Sequence, residues 1–132
     1  MRATTSAGIG ASDTITLVEH GGRYGSTSTT ATARTVVKRL KGQASGTVSS
    51  SASTSIAVNG WTTHQAGVPR VSNLVAYTNP QTGAAWTPSA LDSMQVGVQA
   101  NTSSTNEIRY STLWALVEFV PAAGHNTTGT AP

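Results

Sequence analysis

Polar and apolar residues alternate with a period of two over much of this chain, the repeat of a β-strand with one face in a core and the other in water. Between Thr47 and Val58 the odd positions Thr47, Ser49, Ser51, Ser53 and Ser55 carry hydroxyls, while Val48, Ala52, Ile56 and Val58 fall on the even face. That pattern predicts a half-buried strand. Asn59-Gly60 follows, between Val58 and Trp61. A type I′ turn needs positive φ at both central residues, which Asn-Gly supplies, so a hairpin into a partner strand starting at Trp61 is expected. Met94, Val96, Val98 and Ala100 alternate with Gln95, Gly97 and Gln99. This is a second half-buried strand, in which Gly97 marks a bulge or a close approach. Thr14 to Glu19 and Thr35 to Leu40 are strand-like in composition. From Glu107 to Val120 apolar residues occupy both phases, with Ile108, Tyr110, Trp114 and Leu116 on one face and Leu113, Ala115, Val117 and Phe119 on the other. That reads as a central strand covered on both sides. Its β-branched and aromatic content, with Pro121 behind it, favours a strand over a helix.

One helical signal stands out. Thr87 suits an N-cap, Pro88 fits the first helical position, and Ser89 to Met94 complete a turn or two. Such a short helix connects strands and forms no layer. The expected fold is therefore all-β, an antiparallel, jelly-roll-like β-sandwich with one short helical turn. Its domain spans residues 13–121, between an N-terminal tail at 1–12 and a C-terminal tail at 122–132.

Composition narrows the core. In 132 residues hydrophobic side chains make up 37%, but only three Trp, three Tyr and one Phe are present. The interior must be built from aliphatic and β-branched groups, and a core of that kind gains help from neighbouring subunits. Eight Lys and Arg against five Asp and Glu leave a net charge of +3, too small to argue for nucleic acid. No cysteine occurs, which removes disulfides, thiolate chemistry and Cys-type zinc sites. Neither the apolar core of a secretory signal nor a run of ~20 apolar residues is present, so the expectation is a chain made in the cytoplasm with no membrane partner.

Candidate chemistry is sparse. His20, His64 and His125 lack any His-x-His or Glu-x-x-His spacing, so no metal is expected. Glu19 and His20 are adjacent, which on a strand sends them to opposite faces. Asp13, Asp92, Glu107 and Glu118 form no paired-carboxylate motif in sequence. Neither a catalytic group nor a cofactor is assigned, and the chain is read as no enzyme. The basic residues Arg34, Lys38, Arg39 and Lys41 read either as a solvated strand face or as a contact to an acidic partner. Trp61, followed by Thr62, Thr63, His64 and Gln65, is the best placed exposed aromatic. With Tyr24, Asn59 and Gln65 it forms a candidate glycan or partner contact. Gly21-Gly22-Arg23-Tyr24-Gly25 reads as a hairpin or loop, not an RNA-binding fragment.

The most distinctive stretch runs from Asn79 to Val120. The order Asn79-Pro80-x-Thr82-Gly83-Ala84-Ala85-Trp86-Thr87, a capped turn with Leu91, a strand holding Gly97 and Val98, then a polar loop and a strand from Ile108 through Val117 resembles small virion proteins of tailed bacteriophages. Those proteins are jelly-roll or concanavalin-like β-sandwiches. In the last strand this chain keeps Glu118 alone of their acidic pattern. The resemblance implies a non-enzymatic virion structural protein, a capsid decoration or minor capsid component, with a tail or baseplate component or a glycan-binding adsorption module as alternatives. It also implies other virion proteins of capsid or tail as partners, many copies or a homo-oligomer in the assembly, and location in the virion. In that reading Asn79-Pro80 pins a turn, Gly83 permits tight backbone and Trp86 plugs the sandwich end.

Overall fold

A computed structural model describes residues 2–3, 8–26, 35–43, 46–56, 60–64, 73–101 and 108–123. Its strands are β1 (Arg2–Ala3), β2 (Thr14–Ser26), β3 (Thr35–Lys41), β4 (Val48–Ser50), β5 (Thr54–Ser55), β6 (Gly60–His64), β7 (Leu74–Ala76), β8 (Gln95–Asn101) and β9 (Arg109–Val120), with one helix, α1 (Pro88–Ser93). All the pairings between them are antiparallel. They form two sheets packed as a sandwich, as the period-two pattern predicts.

Each sheet is organised around one strand. In the first, β3 has β8 along one edge, while β4 and β5 share the other; β1 extends the sheet beyond β8. In the second, β9 runs along β2 from Thr14↔Val120 to Gly25↔Arg109, which leaves the opposite edge of β2 to β7 and then β6. Consecutive strands mostly cross between sheets. The expected hairpin at Asn59-Gly60 is therefore corrected. Asn59 lies outside the described residues, and the strand containing Trp61 pairs with β2, while the preceding segments pair with β3. That preceding segment is not one continuous strand either: it breaks between Ser50 and Thr54, with Ala52 exposed. The expected N-terminal tail contributes β1 and a turn in which Asp13 N–H bonds Gly10 O.

Strand alternation decides what is inside. On β3 Val36, Lys38 and Leu40 are buried, and the residues between them are half-buried. One cluster packs Ile15, Val18, Leu74 and Ala76 from the second sheet against Leu40 and Val96 from the first, closed at one end by Trp86, Leu91 and Met94. A smaller one holds Tyr24, Val36 and Ile56. The closing segment folds through local chemistry. Asn79 Oδ1 accepts from Gln81 N–H, Asn79 O accepts from Gly83 N–H at 2.8 Å, and Gly83 takes φ 70°, a conformation glycine adopts without a Cβ penalty. Trp86 then donates its indole N–H to Ala76 O at 3.1 Å. Thr87 caps α1 by accepting from Ala90 N–H at 3.1 Å.

Between the two apolar clusters lies a polar layer. His20, on β2, has Nδ1 2.9 Å from Trp114 O in its own sheet and Nε2 2.9 Å from Gly97 O in the facing one. A neutral imidazole carries one N–H, so only one carbonyl receives a hydrogen bond at a time. Burial holds the His20 pKa below its usual 6.5, against the pull of the two carbonyls and with the push of Lys38. Lys38 is fully buried, with Nζ 3.4 Å from Thr54 Oγ1 and 5.8 Å from the centroid of the Tyr24 ring. Burial lowers its pKa from 10.5 to about 8 and raises that of Tyr24 well above 10.

These shifts fix a pH dependence. Between about pH 8 and pH 10.5 the unfolded chain holds a proton that folded Lys38 has released, so stability rises with pH across that window. Above pH 10 Tyr24 ionises more readily in the unfolded chain, and stability falls again. Lys38→Met should raise stability at neutral pH by about 1–3 kcal/mol, because an apolar side chain of similar length carries no charge to desolvate. It should also abolish the rise above pH 8. Denaturant melts of both chains across this range test it; a destabilised variant or a flat wild-type profile contradicts the account.

Candidate interaction surface

The two outer faces of the sandwich differ in chemistry. On the first sheet the alternation that buries Lys38 turns Arg39 and Lys41 outward, beside Gln95, Gly97 and Gln99 of β8. Arg39 donates from Nη2 to Gln99 Oε1. This face is amide-rich and basic. The expectation that Arg34, Lys38, Arg39 and Lys41 form one contact surface is thereby corrected. Lys38 sits between the sheets, since residues two apart share a face and 38 goes with Val36 and Leu40. Arg34 lies outside the described residues.

The outer face of the second sheet carries the aromatic groups. Val18 and His20 of β2 point into the core, so Glu19, Gly21 and Arg23 face outward. Opposite them on β9 stand Leu116, Trp114 and Thr112. The ring of Trp114 lies on Gly21 so closely that a Cβ there would run into it. Trp61, cross-strand from Gly25, occupies the same kind of place: a Cβ on Gly25 would come within 2.8 Å of the indole. Arg23 stands between, its guanidinium 4.5 Å from the centroid of the Trp61 ring, a cation–π contact. Glycines in the strand are what let both indoles lie against the backbone.

Of the residues proposed for a glycan or partner contact, Trp61 is 45% exposed and stands where it was expected. Tyr24 is corrected: it is completely buried against Val36 and Ile56, facing the other sheet. Asn59 and Gln65 lie outside the described residues. Sequence reading passed over Arg23, Arg109 and the outward position of Trp114. The glycines at 21 and 25 were the available signal, because a strand glycine often marks the spot where something approaches closely.

Strand β9 also departs from expectation. It was expected to be a central strand covered on both faces; instead it pairs, among the described residues, with β2 alone. Leu113 to Phe119 are half-buried on both faces. Leu113, Ala115, Val117 and Phe119 pack on the core, while the other phase rests on the outer surface of β2. Apolar residues in both phases reflect that covering. Its end is held by Asp13, whose Oδ1 accepts from Ala122 N–H at 2.9 Å and whose Oδ2 accepts from Gly10 N–H at 2.7 Å.

Elsewhere, a groove of about 370 Å³ beside α1 is lined by small groups including Asn79, Thr82, Thr87, Ser89 and Ser93, and by no titratable side chain. Among the described residues no group of His, Asp or Glu stands together as a metal site, and no helix is long and apolar enough to cross a membrane. Compared with known proteins, the chain matches no family model, no curated protein and no solved structure.

The two indoles should weigh differently on stability. Trp114→Ala opens a space over Gly21 and should cost about 2–4 kcal/mol, whereas Trp61→Ala, at a half-exposed position on a short edge strand, should cost under about 1 kcal/mol. Thermal melts of the two variants measure this, and equal losses would contradict the difference in packing.

Proposed function

We propose that this chain is a non-enzymatic structural protein of a tailed-phage virion, acting in many copies against other particle proteins. Capsid decoration or a minor capsid position is the first placement, with tail or baseplate next. The observation that carries the reading is the twelve-residue strand β9, which pairs on one side with β2 and presents a second backbone edge to no other described strand. An edge of that length is a template for strand addition by a neighbour. The stretch that resembles phage virion proteins, Asn79 to Val120, includes this strand. Within that stretch Asn79 closes a turn, Trp86 is buried and Thr87 caps α1.

The distribution of reactive groups supports a structural role over catalysis. His20 and Lys38, two basic side chains of the polar layer, are engaged between the sheets. The groove beside α1 holds hydroxyls and amides without an acid or base. A second reading, an adsorption module that binds glycans, is favoured by the exposure of Trp61 on the outer face of the second sheet. Production in the host cytoplasm and residence in the particle follow from the structural reading.

Cryo-EM of purified particles, with this chain localised and its neighbours resolved, tests the proposal. Multiple copies on the capsid lattice are the expected result, with β9 against another chain. A ring at the tail would move the placement to tail or baseplate, and absence of the chain from purified particles would overturn the structural reading.

A further inference from the structure

The groove beside α1 is lined by polar groups that use their acceptors to hold its shape and keep their donors over. Asn79 is only 6% exposed, and its Oδ1 accepts from Gln81 N–H at 2.8 Å. That bond fixes which way the amide is turned. Nδ2 is the other end, and it bonds to nothing among the described residues. The amide head lies where a Cβ on Gly42 would stand, so the missing side chain at Gly42 is what gives it room at the groove wall. Two hydroxyls repeat the pattern. Thr82 Oγ1 accepts from Ala84 N–H at 3.2 Å, and Thr87 Oγ1 accepts from Ala90 N–H at 3.1 Å. A hydroxyl that accepts in this way still has a proton to donate. The groove, about 370 Å³, thus gathers unused donors beside the methyl groups of Ala85 and Ala90, with no titratable side chain in its lining.

We propose that this groove binds a neutral sugar bearing an acetamido group, whose carbonyl oxygen accepts from Asn79 Nδ2 and whose methyl group lies against Ala85 and Ala90. Sugar hydroxyls accept as readily as they donate, and they answer Thr82 and Thr87. The volume falls within the range of small-ligand sites, where a few placed polar groups among apolar ones set orientation. A carboxylate or phosphate would call for a cation, and none lines the groove. A wholly apolar ligand would cover the Asn79 donor without pairing it, which costs affinity. The site does not depend on the chain belonging to a particle: it rests on this groove alone, whereas the structural reading rests on β9.

The test titrates the whole chain with methyl N-acetyl-β-glucosaminide and, separately, with methyl β-glucoside, and follows backbone amide shifts by NMR. The acetamido sugar should bind with a dissociation constant on the order of 1 mM, at least tenfold tighter than the glucoside, and should move the amides of Thr82, Thr87 and Ser89. Ser89→Phe places a ring in the groove from an exposed position on α1. It should weaken the acetamido sugar at least tenfold while leaving the thermal melt close to that of the unaltered chain. Asn79→Asp keeps the acceptor for Gln81 N–H and removes the donor, and should weaken binding to a similar degree. Lack of binding by the acetamido sugar overturns the proposal, as do equal binding of the glucoside, shifts confined to the face around Trp61, and affinity unchanged in both variants. Equal binding of N-acetylalanine methylamide would assign the groove to polypeptide and overturn it too. Particle localisation is unaffected by any of these results, so the two readings fail separately.

Discussion

The contact on which the sandwich depends is the one His20 makes across it. From the middle of β2 its ring reaches Trp114 O within its own sheet and Gly97 O in the facing sheet, at 2.9 Å each. Apolar side chains between two sheets can slide at little cost, because dispersion and area burial have no direction. A buried ring between two carbonyls does not slide, since displacement leaves a polar group unpaired in a low-dielectric interior. Lys38, from the middle of β3, lies in the same layer over Tyr24. Together they separate a larger apolar cluster, closed by Trp86, from a smaller one around Val36. The larger cluster draws on aliphatic residues of both sheets, the smaller on a single Tyr among aliphatics. With so little aromatic content, directional contacts supply the registration that large rings give other cores.

Fixing His20 inward also fixes the outer face. Alternation sends Glu19, Gly21 and Arg23 to the other side of β2, and the missing side chain at Gly21 is filled from outside by Trp114. The same residue therefore joins both systems: its carbonyl meets His20 inside and its ring covers glycine outside. An indole laid over a strand glycine restores the apolar contact that the glycine lacks. At Gly25 the same arrangement leaves Trp61 accessible.

Where the rule was local, the sequence was readable. Period-two alternation located β8, strand-like composition located β3, and Thr87-Pro88 marked the start of α1. Opposite faces for Glu19 and His20 followed from adjacency alone. What could not be read was which strands pair. Asn-Gly at 59–60 is a strong turn signal, yet the flanking segments join different sheets, and pairing partners are a tertiary matter that short-range propensity does not contain. Lys38 was misplaced for the opposite reason: its charge outweighed, in reading the sequence, the alternation that Val36 and Leu40 had already set. Tyr24 likewise gave no sign of facing the core. The apolar residues of β9 were identified correctly but assigned to a central strand, because two covered faces look alike whether or not both edges are paired.

The edge of β9 that no described strand pairs is what links this architecture to assembly in the proposal. Amide hydrogen exchange of the isolated monomer tests it most directly, residue by residue along β2 and β9. In a strand paired on one side, alternate amides point away from the partner. The account predicts slow exchange throughout the paired length of β2, and on β9 slow amides toward β2 alternating with fast ones on the other edge. Uniformly slow exchange along β9 would show that the chain covers this edge itself, and would contradict its availability to a neighbour.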